Sequence, residues 1–451
     1  VSGNLKTRVG VVSLGCSKNL VDTEVMLGHL DEAGATFVTD SEEAEVLVVN
    51  TCAFIGEARE ESVRAILEGA ELKRTGRVKR LVVAGCMVQR YGEELRQSLP
   101  EVDAFLGLDE LDRIVPAVRS DLPLFSARTA PASTYLYGAT TPRRLATPPW
   151  TAFVKIAEGC DHTCSFCAIP SFRGTFRSRT PDSVAAEAET LARRGVREIN
   201  LIAQDSSHYG RDRDDGGGLP GLLRRLDAVP DLRWIRVHYL YPNTVTGALI
   251  DTMAALPRVV DYVDMPLQHA HAETLRRMRR GGSAESHLRL LERFRAAMPQ
   301  GALRTTLIVG FPGETEAEFE ALLAFVEEAR FDHLGVFAYS HEEGTGAHVL
   351  ADDVPPELKE DRRARLLTLQ QEIVARHLAA QVGRTHEVLV EGAHPDTEHL
   401  LVGRLSTQAP DVDGSVLLND GLEDVRPGTF ARVELTEVAG YDLVGRIVDV
   451  A

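Results

Sequence analysis

Three cysteines lie in the stretch Cys160-Asp161-His162-Thr163-Cys164-Ser165-Phe166-Cys167, directly after the apolar run Phe153-Val154-Lys155-Ile156-Ala157. A C-x3-C-x2-C spacing puts three soft thiolates on one loop, a donor set suited to an iron–sulfur cluster. No fourth cysteine lies nearby. A [4Fe-4S] cluster held there would keep one iron open for a ligand. Two other readings use the same residues. One is zinc with His162 as fourth ligand; the other is three thiols that are simply buried or disulfide-bonded.

The remaining cysteines, Cys16, Cys52 and Cys86, each follow an apolar run by two or three residues: Val9 to Leu14, Val46 to Val49, and Leu81 to Ala84. Those runs read as buried strands, with helices between them near Val21 to Ala33 and Gly56 to Lys73, so the segment is a parallel α/β domain. Ligands of such sheets bind beyond the carboxyl ends of the strands. Three cysteines at three strand ends therefore converge on one edge. A single cysteine there would read as a small buried residue, but three in register point to a second cluster.

From Thr151 onward the pattern alternates again, with strand-like runs at 152–157, 198–203, 233–238, 260–264, 303–309 and 332–338, and helical stretches such as 181–194 and 314–328. Six βα units make an incomplete (βα)6 barrel, whose functional residues belong at the C-terminal ends of its strands. The cysteine loop follows the first strand. Gln204-Asp205 follows the second, and Gly310-Phe311-Pro312-Gly313-Glu314 the fifth, so both line the barrel mouth. Pro355 to Gln381 reads as a charged connector helix. Beyond it, short strands with turns at Asp413-Gly414, Asp420-Gly421 and Pro427-Gly428 read as a small antiparallel β-barrel. The expected fold class is thus a multidomain α/β protein: an N-terminal α/β domain at 1–125, a proline-rich linker at 126–150, the barrel and its connector helix at 151–380, and the small β-barrel at 381–451.

Cys160-x3-Cys164-x2-Cys167, with Phe166 before the last cysteine, resembles the signature of radical S-adenosylmethionine enzymes. The resemblance implies that the open iron binds S-adenosylmethionine, whose reductive cleavage yields a 5′-deoxyadenosyl radical. Phe166, Gln204, Gly310 and Gly313 are the residues it points to beside that cofactor, although Thr306 and the position of Glu314 depart from the strict adenine-binding pattern. Gly15-Cys16-Ser17-Lys18-Asn19, Asn50-Thr51-Cys52 and Gly85-Cys86 resemble the N-terminal domain of the methylthiotransferases. That likeness implies an auxiliary cluster on Cys16, Cys52 and Cys86, hence two [4Fe-4S] clusters. The last segment resembles the TRAM domain of the same family. Gly15 to Asp22, His238-Tyr239-Leu240-Tyr241-Pro242, Asp264 to His269 and Tyr339 to Thr345 are similar to the branch that methylthiolates the β-carbon of an aspartate in ribosomal protein S twelve, free or in the small subunit. The alternative branch modifies an adenosine of transfer RNA. A non-catalytic iron–sulfur or zinc-binding assembly factor is the reading from a different class. His162, His208 and His269 read as structural polar residues, and no catalytic base is assigned.

Composition bounds these readings. The chain has 451 residues, 44% apolar and 26% charged, with formal charge −17. No apolar run approaches the ~18 residues of a membrane span. The opening residues lack the apolar core of a signal peptide, and a cytoplasmic protein with no membrane partner is expected. A non-specific nucleic-acid binder would carry the opposite sign. Residues 380–451 hold six Glu and seven Asp against five Arg and no Lys, a balance of −8. Such an appendage attracts a basic protein and repels phosphate. Asp411, Asp413, Glu423 and Asp424 are expected to be exposed acids of that surface. The reductant and the sulfur donor are not legible.

Overall fold

The computed structural model describes residues 5–119, 132–214, 217–421 and 425–450. Near the N-terminus β1 (Arg8–Ser13), β2 (Thr36–Val38), β3 (Val46–Thr51), β4 (Arg80–Gly85) and β5 (Ala104–Leu106) pair in parallel in the order β2-β1-β3-β4-β5. Alternation along the strands feeds two cores, as expected for a parallel sheet covered on both faces. Val46, Val48, Val82 and Ala84 pack with Val21, Val25 and Met26 of α1 (Ser17–Glu32). Leu47, Val49, Leu81 and Val83 face the other way, onto Ile66 of α2 (Gly56–Arg74) and Val88 of α3 (Cys86–Ser98). A short α4 (Ile114–Arg119) completes the first face.

The second unit contains β6 (Thr151–Lys155), β9 (Glu198–Ile202) and β10 (Trp234–Val237) in one parallel sheet, with the two-residue strands β7 (Ala157–Glu158) and β8 (Arg177–Ser178) as a separate ribbon. A second parallel sheet holds β11 (Tyr262–Asp264), β12 (Ala302–Val309) and β13 (His333–Ala338). A bridge between Ile235 and Val259 links the two. Among the described residues no pairing joins β6 to β13. The six-stranded arc is therefore open, as expected of an incomplete barrel. Its helices are α5 (Ile169–Arg173), α6 (Pro181–Arg193), α7 (Gly218–Asp227), α8 (Gly247–Ala255), α9 (Ala272–Arg277), α10 (Ala284–Ala297), α11 (Glu316–Ala329) and α12 (Pro356–Ala379).

The two units share packing. Phe153 of β6 and Ile202 of β9 belong to the same apolar cluster as α1. Of the expected linker, residues 126–131 lie outside the described residues. The rest is a half-buried strap anchored by Ser133 and Tyr137. Tyr137 is buried and donates to Glu187 of α6, and Arg143 bridges Glu24 of α1 to Glu187.

The C-terminal strands β14 (Thr385–His394), β15 (Thr397–Leu405), β16 (Val416–Asp420), β17 (Phe430–Ala439) and β18 (Asp442–Val450) close into a barrel in the order β14-β15-β16-β18-β17. The expectation of antiparallel pairing holds for all pairs but one, because β16 and β18 run parallel. Closing five strands this way seats the last strand between β16 and β17. Asp413 is not an exposed acid. Its carboxylate is 1% exposed, accepts from the Tyr262 hydroxyl at 2.6 Å and the Ala409 amide at 2.8 Å, and pairs with Arg304. It joins the β-barrel to β11 and β12. Asp411 is exposed, while Glu423 and Asp424 lie outside the described residues. No helix among the described residues is long and apolar enough to cross a membrane.

Candidate active site

In the order β2-β1-β3-β4-β5 the chain reverses direction of travel between β1 and β3, the switch point where such sheets open a crevice. Cys16 follows β1, Cys52 follows β3, and Cys86 follows β4 as the first residue of α3. Cys16 is the N-cap of α1. Two of the three thiols thus sit at helix N-termini, where the partial positive charge suits a bound group of negative charge. Asn19 knits the three loops together. Its Nδ2 donates to Leu14 O at 2.7 Å and Thr51 O at 3.3 Å, and its Oδ1 lies 3.8 Å from Cys86 Sγ. Gly15 and Gly85, at φ +87° and +99°, precede two of the cysteines. A Cβ on Gly15 would come within 3.0 Å of Cys52 Sγ, and one on Gly85 within 2.1 Å of Asn50 Oδ1. Only glycine permits this close approach of the three loops.

The other three cysteines occupy the loop after β6 and β7. Cys160 N donates to Gly174 O at 3.0 Å, the Ser165 amide to Met278 O at 2.9 Å, and the Ala347 amide to Ser165 O at 2.6 Å. The loop is therefore tied to the segments after α5 and α9 and to the chain beyond β13. Arg280 Nη1 lies 3.5 Å from Cys164 Sγ, and its guanidinium covers the Tyr241 ring at 4.3 Å. His162 stacks on the same ring at 3.8 Å and bonds Asp205 at 2.7 Å through Nε2. No group of three or more His, Cys, Asp or Glu among the described residues converges tightly enough to hold a single metal ion. His162 is engaged by Asp205 and the Tyr241 ring. A cluster, which takes each thiolate on a different iron, does not require that convergence.

The two cysteine sites are joined by buried charge. Arg173, at the end of α5, donates to Cys86 Sγ at 3.1 Å and Asp22 at 3.0 Å, and to both oxygens of Glu158 at 2.9 Å. Lys155 bridges Asp22 and Glu158, and Gln204 Nε2 donates to Glu158 Oε1 at 2.6 Å. Burial alone would raise the Glu158 carboxyl, but Arg173 and Lys155 outweigh it and hold it well below the carboxylate range. Burial pushes the Cys86, Cys160 and Cys167 thiols up to about 12, and raises Cys52 as well. Metal binding releases the protons of such thiols. Three thiols with one flanking arginine in each set suit iron–sulfur groups of negative charge.

Of the other sequence-predicted residues, Phe166 packs with Phe311, Met278, Tyr339 and Ala347, which brings it beside the Gly310 to Glu314 turn. Gly310 and Phe311 donate their amides to Glu314 Oε2, and Gly313 to Asp353. Among the described residues none partners the buried Oε1 of Gln204, an acceptor open to a ligand. His208 packs edge-on against Phe176 at 4.8 Å, and His269 is fully buried with its pKa lowered by burial to about 3. Neither has the geometry of a base. Sequence reasoning missed Arg173, Arg280, Glu158 and Tyr241. Only Tyr241 had a signal, its place in the His238 to Pro242 motif. A groove of about 1290 Å³ runs between α2, α3 and residues 341–348, but none of the six cysteines lines it.

Comparison with known proteins follows the same three-part division. Residues 8–107 match the uncharacterized protein family UPF0004, 154–326 the radical SAM superfamily and 382–448 the TRAM domain. The chain is 51% identical over 447 residues to the ribosomal protein uS12 methylthiotransferase RimO of Anaeromyxobacter sp. (strain K), covering 98% of this chain and 94% of that protein. Identity to the protein of the same name from Solibacter usitatus (strain Ellin6076) is 48% over 445 residues, covering 98% and 95%. For Trichlorobacter lovleyi (strain ATCC BAA-1151 / DSM 17278 / SZ) it is 45% over 453 residues, covering all of both chains. A solved structure of the radical S-adenosylmethionine methyltransferase TsrM from Kitasatospora setae, with cobalamin and [4Fe-4S] cluster bound, superposes with a TM-score of 0.53 at 16% identity, covering 74% of this chain and 75% of that one. At that identity the likeness concerns the fold.

Proposed function

The chain belongs to the ribosomal protein uS12 methylthiotransferase family, and from that membership we propose that it replaces a hydrogen on the β-carbon of a uS12 aspartate by a methylthio group, using two [4Fe-4S] clusters. It is a radical S-adenosylmethionine enzyme. Cys160, Cys164 and Cys167 would hold the cluster that binds S-adenosylmethionine, and Cys16, Cys52 and Cys86 the auxiliary one. When bound, these groups supply a carbon-centred radical, needed because an unactivated C–H bond offers no acidic proton, and the sulfur and methyl group that are transferred. Beside that membership, what supports a joint role for the two sites is the hydrogen bond from Arg173 of the barrel to Cys86 of the N-terminal domain.

The chain's own residues position and shield. Arg280 and Arg173 each place a cation beside one thiol set and offset its negative charge. Glu158 collects Arg173, Lys155 and Gln204, and Asp22 of α1 collects the first two, so the two sites are held at a fixed separation. Fixing them makes transfer between them effectively intramolecular. Phe166, Gln204, Gly310 and Gly313 would border S-adenosylmethionine at the barrel mouth. A ribosomal protein substrate, free or in the assembled subunit, implies action in the cytoplasm. Offering uS12 and transfer RNA together with methyl-labelled S-adenosylmethionine under anaerobic reducing conditions tests the reading. Label is expected in uS12, and label confined to transfer RNA would overturn it.

A further inference from the structure

Among the described residues three lysines are more than nine-tenths buried: Lys18, Lys155 and Lys359. Two have carboxylate partners. Lys155 pairs with Asp22 and Glu158, and Lys359 with Asp352. Lys18 is 7% exposed, yet its ammonium makes no ion pair or hydrogen bond among the described residues. Its contact is the face of Tyr239, with Nζ 2.9 Å from the ring centroid. A ring face attracts a cation more weakly than an anion does, so the pairing with Tyr239 leaves the charge of Lys18 without a counter-ion. The position is therefore suited to an incoming negative group.

Its location indicates which one. Lys18 stands two residues beyond Cys16, in the first turn of α1. Tyr239 stands beyond β10 at the barrel mouth, two residues before Tyr241, whose ring lies on His162 between Cys160 and Cys164. The ammonium thus lies at the seam between the two cysteine sites. Tyr239 is held there against its own backbone preference. Its φ is +61°, while its amide donates to Asp264 at 3.3 Å and its carbonyl accepts from Ser206 N at 2.9 Å. A bulky residue in that region is a backbone outlier that the surrounding structure must hold in place.

We propose that Lys18 binds the side-chain carboxylate of the substrate aspartate, with Tyr239 holding the ammonium in place. The inference rests on the reading of the chain as a uS12 aspartate methylthiotransferase, and it deepens that reading by naming the residue that recognises the target. The β-carbon is bonded directly to the carboxyl carbon, so gripping the carboxylate fixes the reacting atom within one bond of the grip. A neutral amide or a nucleobase would leave the ammonium unpaired, so Lys18 also selects against them.

The test compares binding of uS12 carrying Asp or Asn at the modified position to reconstituted wild-type, Lys18→Gln, Lys18→Arg and Tyr239→Leu proteins of verified iron content. Wild type is expected to prefer the Asp form. Lys18→Gln should weaken Asp-form binding about tenfold or more, the scale of a charge-assisted hydrogen bond, and leave the Asn form unchanged. Lys18→Arg should recover part of the preference. An iron-replete Lys18→Gln protein with the full Asp-over-Asn preference would overturn the inference. If Lys18→Gln does not fold or load iron, Tyr239→Leu decides, since it leaves the Cys16 loop intact; an undiminished preference there overturns the inference equally. Wild-type protein that modifies neither form of uS12 would instead remove the functional reading, and this inference with it.

Discussion

The guanidinium of Arg173, carried on the barrel, donates to the Sγ of Cys86 in the N-terminal domain across 3.1 Å, with both side chains buried. One residue therefore supports a thiol of one cysteine site while belonging to the loop region of the other. Its remaining donors go to Asp22 and Glu158, one from each domain.

Replacing Arg173 by Met leaves Asp22, Glu158 and the Cys86 site short of a buried cation. Breaking a buried pair by removing one partner costs about 3–5 kcal/mol. Denaturant unfolding of the apoprotein should show a loss of that order. In reconstituted protein an EPR-monitored titration should place the N-terminal cluster at lower potential than in wild type, because a donor to its thiolate has gone. Arg173→Lys should recover part of both. An unchanged potential would mean that the contact is structural only.

The six cysteines should separate into two independent sets. Cys160, Cys164 and Cys167 changed together to Ala should halve the cluster content and abolish 5′-deoxyadenosine formation. Cys16, Cys52 and Cys86 changed together should halve the cluster content and retain cleavage of S-adenosylmethionine, while methylthio transfer disappears. Normal product from the second variant would exclude the N-terminal site from the reaction.

Acid should weaken the seam between the barrel and the C-terminal domain. Burial would raise the Glu198 carboxyl, but Arg404 and Arg236 outweigh it and bring it down to about 2 from an ordinary 4.5. A depressed carboxyl contributes stability that is fully present above its unfolded pKa and is lost as pH falls through the folded one. The contribution is on the order of 3 kcal/mol. Apoprotein stability should therefore decline between about pH 4.5 and 2. Glu198→Gln should be less stable at neutral pH and show a shallower decline. Parallel pH profiles for the two proteins would show that Glu198 contributes nothing to that slope.

What could be read from the sequence follows from how local the signal is. Cys160, Cys164 and Cys167 announce themselves by spacing, and Cys16, Cys52 and Cys86 by position, because a parallel sheet puts its strand ends on one edge. The partners of those thiols were not readable. Arg173 and Arg280 are ordinary arginines in sequence, and only the tertiary fold aims their long side chains at Cys86 and Cys164. Lys18 lies inside the Gly15 to Asp22 motif, but its lack of a counter-ion is a property of its surroundings. Periodicity identified short C-terminal strands without naming neighbours, so the parallel pairing of β16 with β18 was beyond its reach. A charge count cannot distinguish Asp413, locked between Tyr262 and Arg304, from an acid in solvent.

The acidic C-terminal surface should guide a basic substrate through residues that are exposed. Asp411, Asp420, Glu437 and Asp449 are exposed, whereas Asp413 is not. Reversing those four to Lys should slow association with uS12, most at low ionic strength, because the Debye length shrinks from ~30 Å at 0.01 M to ~8 Å at 0.15 M salt. Equal association rates for variant and wild type across that range would make the acids a solvated surface only.

The central claim is that the two thiol sites act together on an aspartate of uS12. Mass spectrometry of uS12 after anaerobic incubation with reconstituted protein, sulfide, S-adenosylmethionine and reductant tests it most directly. The account predicts a mass gain of one CH2S unit, localised by fragmentation to an aspartate and absent with either triple-cysteine variant. Unmodified uS12 under conditions that still release 5′-deoxyadenosine, with a methylthio group found on transfer RNA instead, would contradict it.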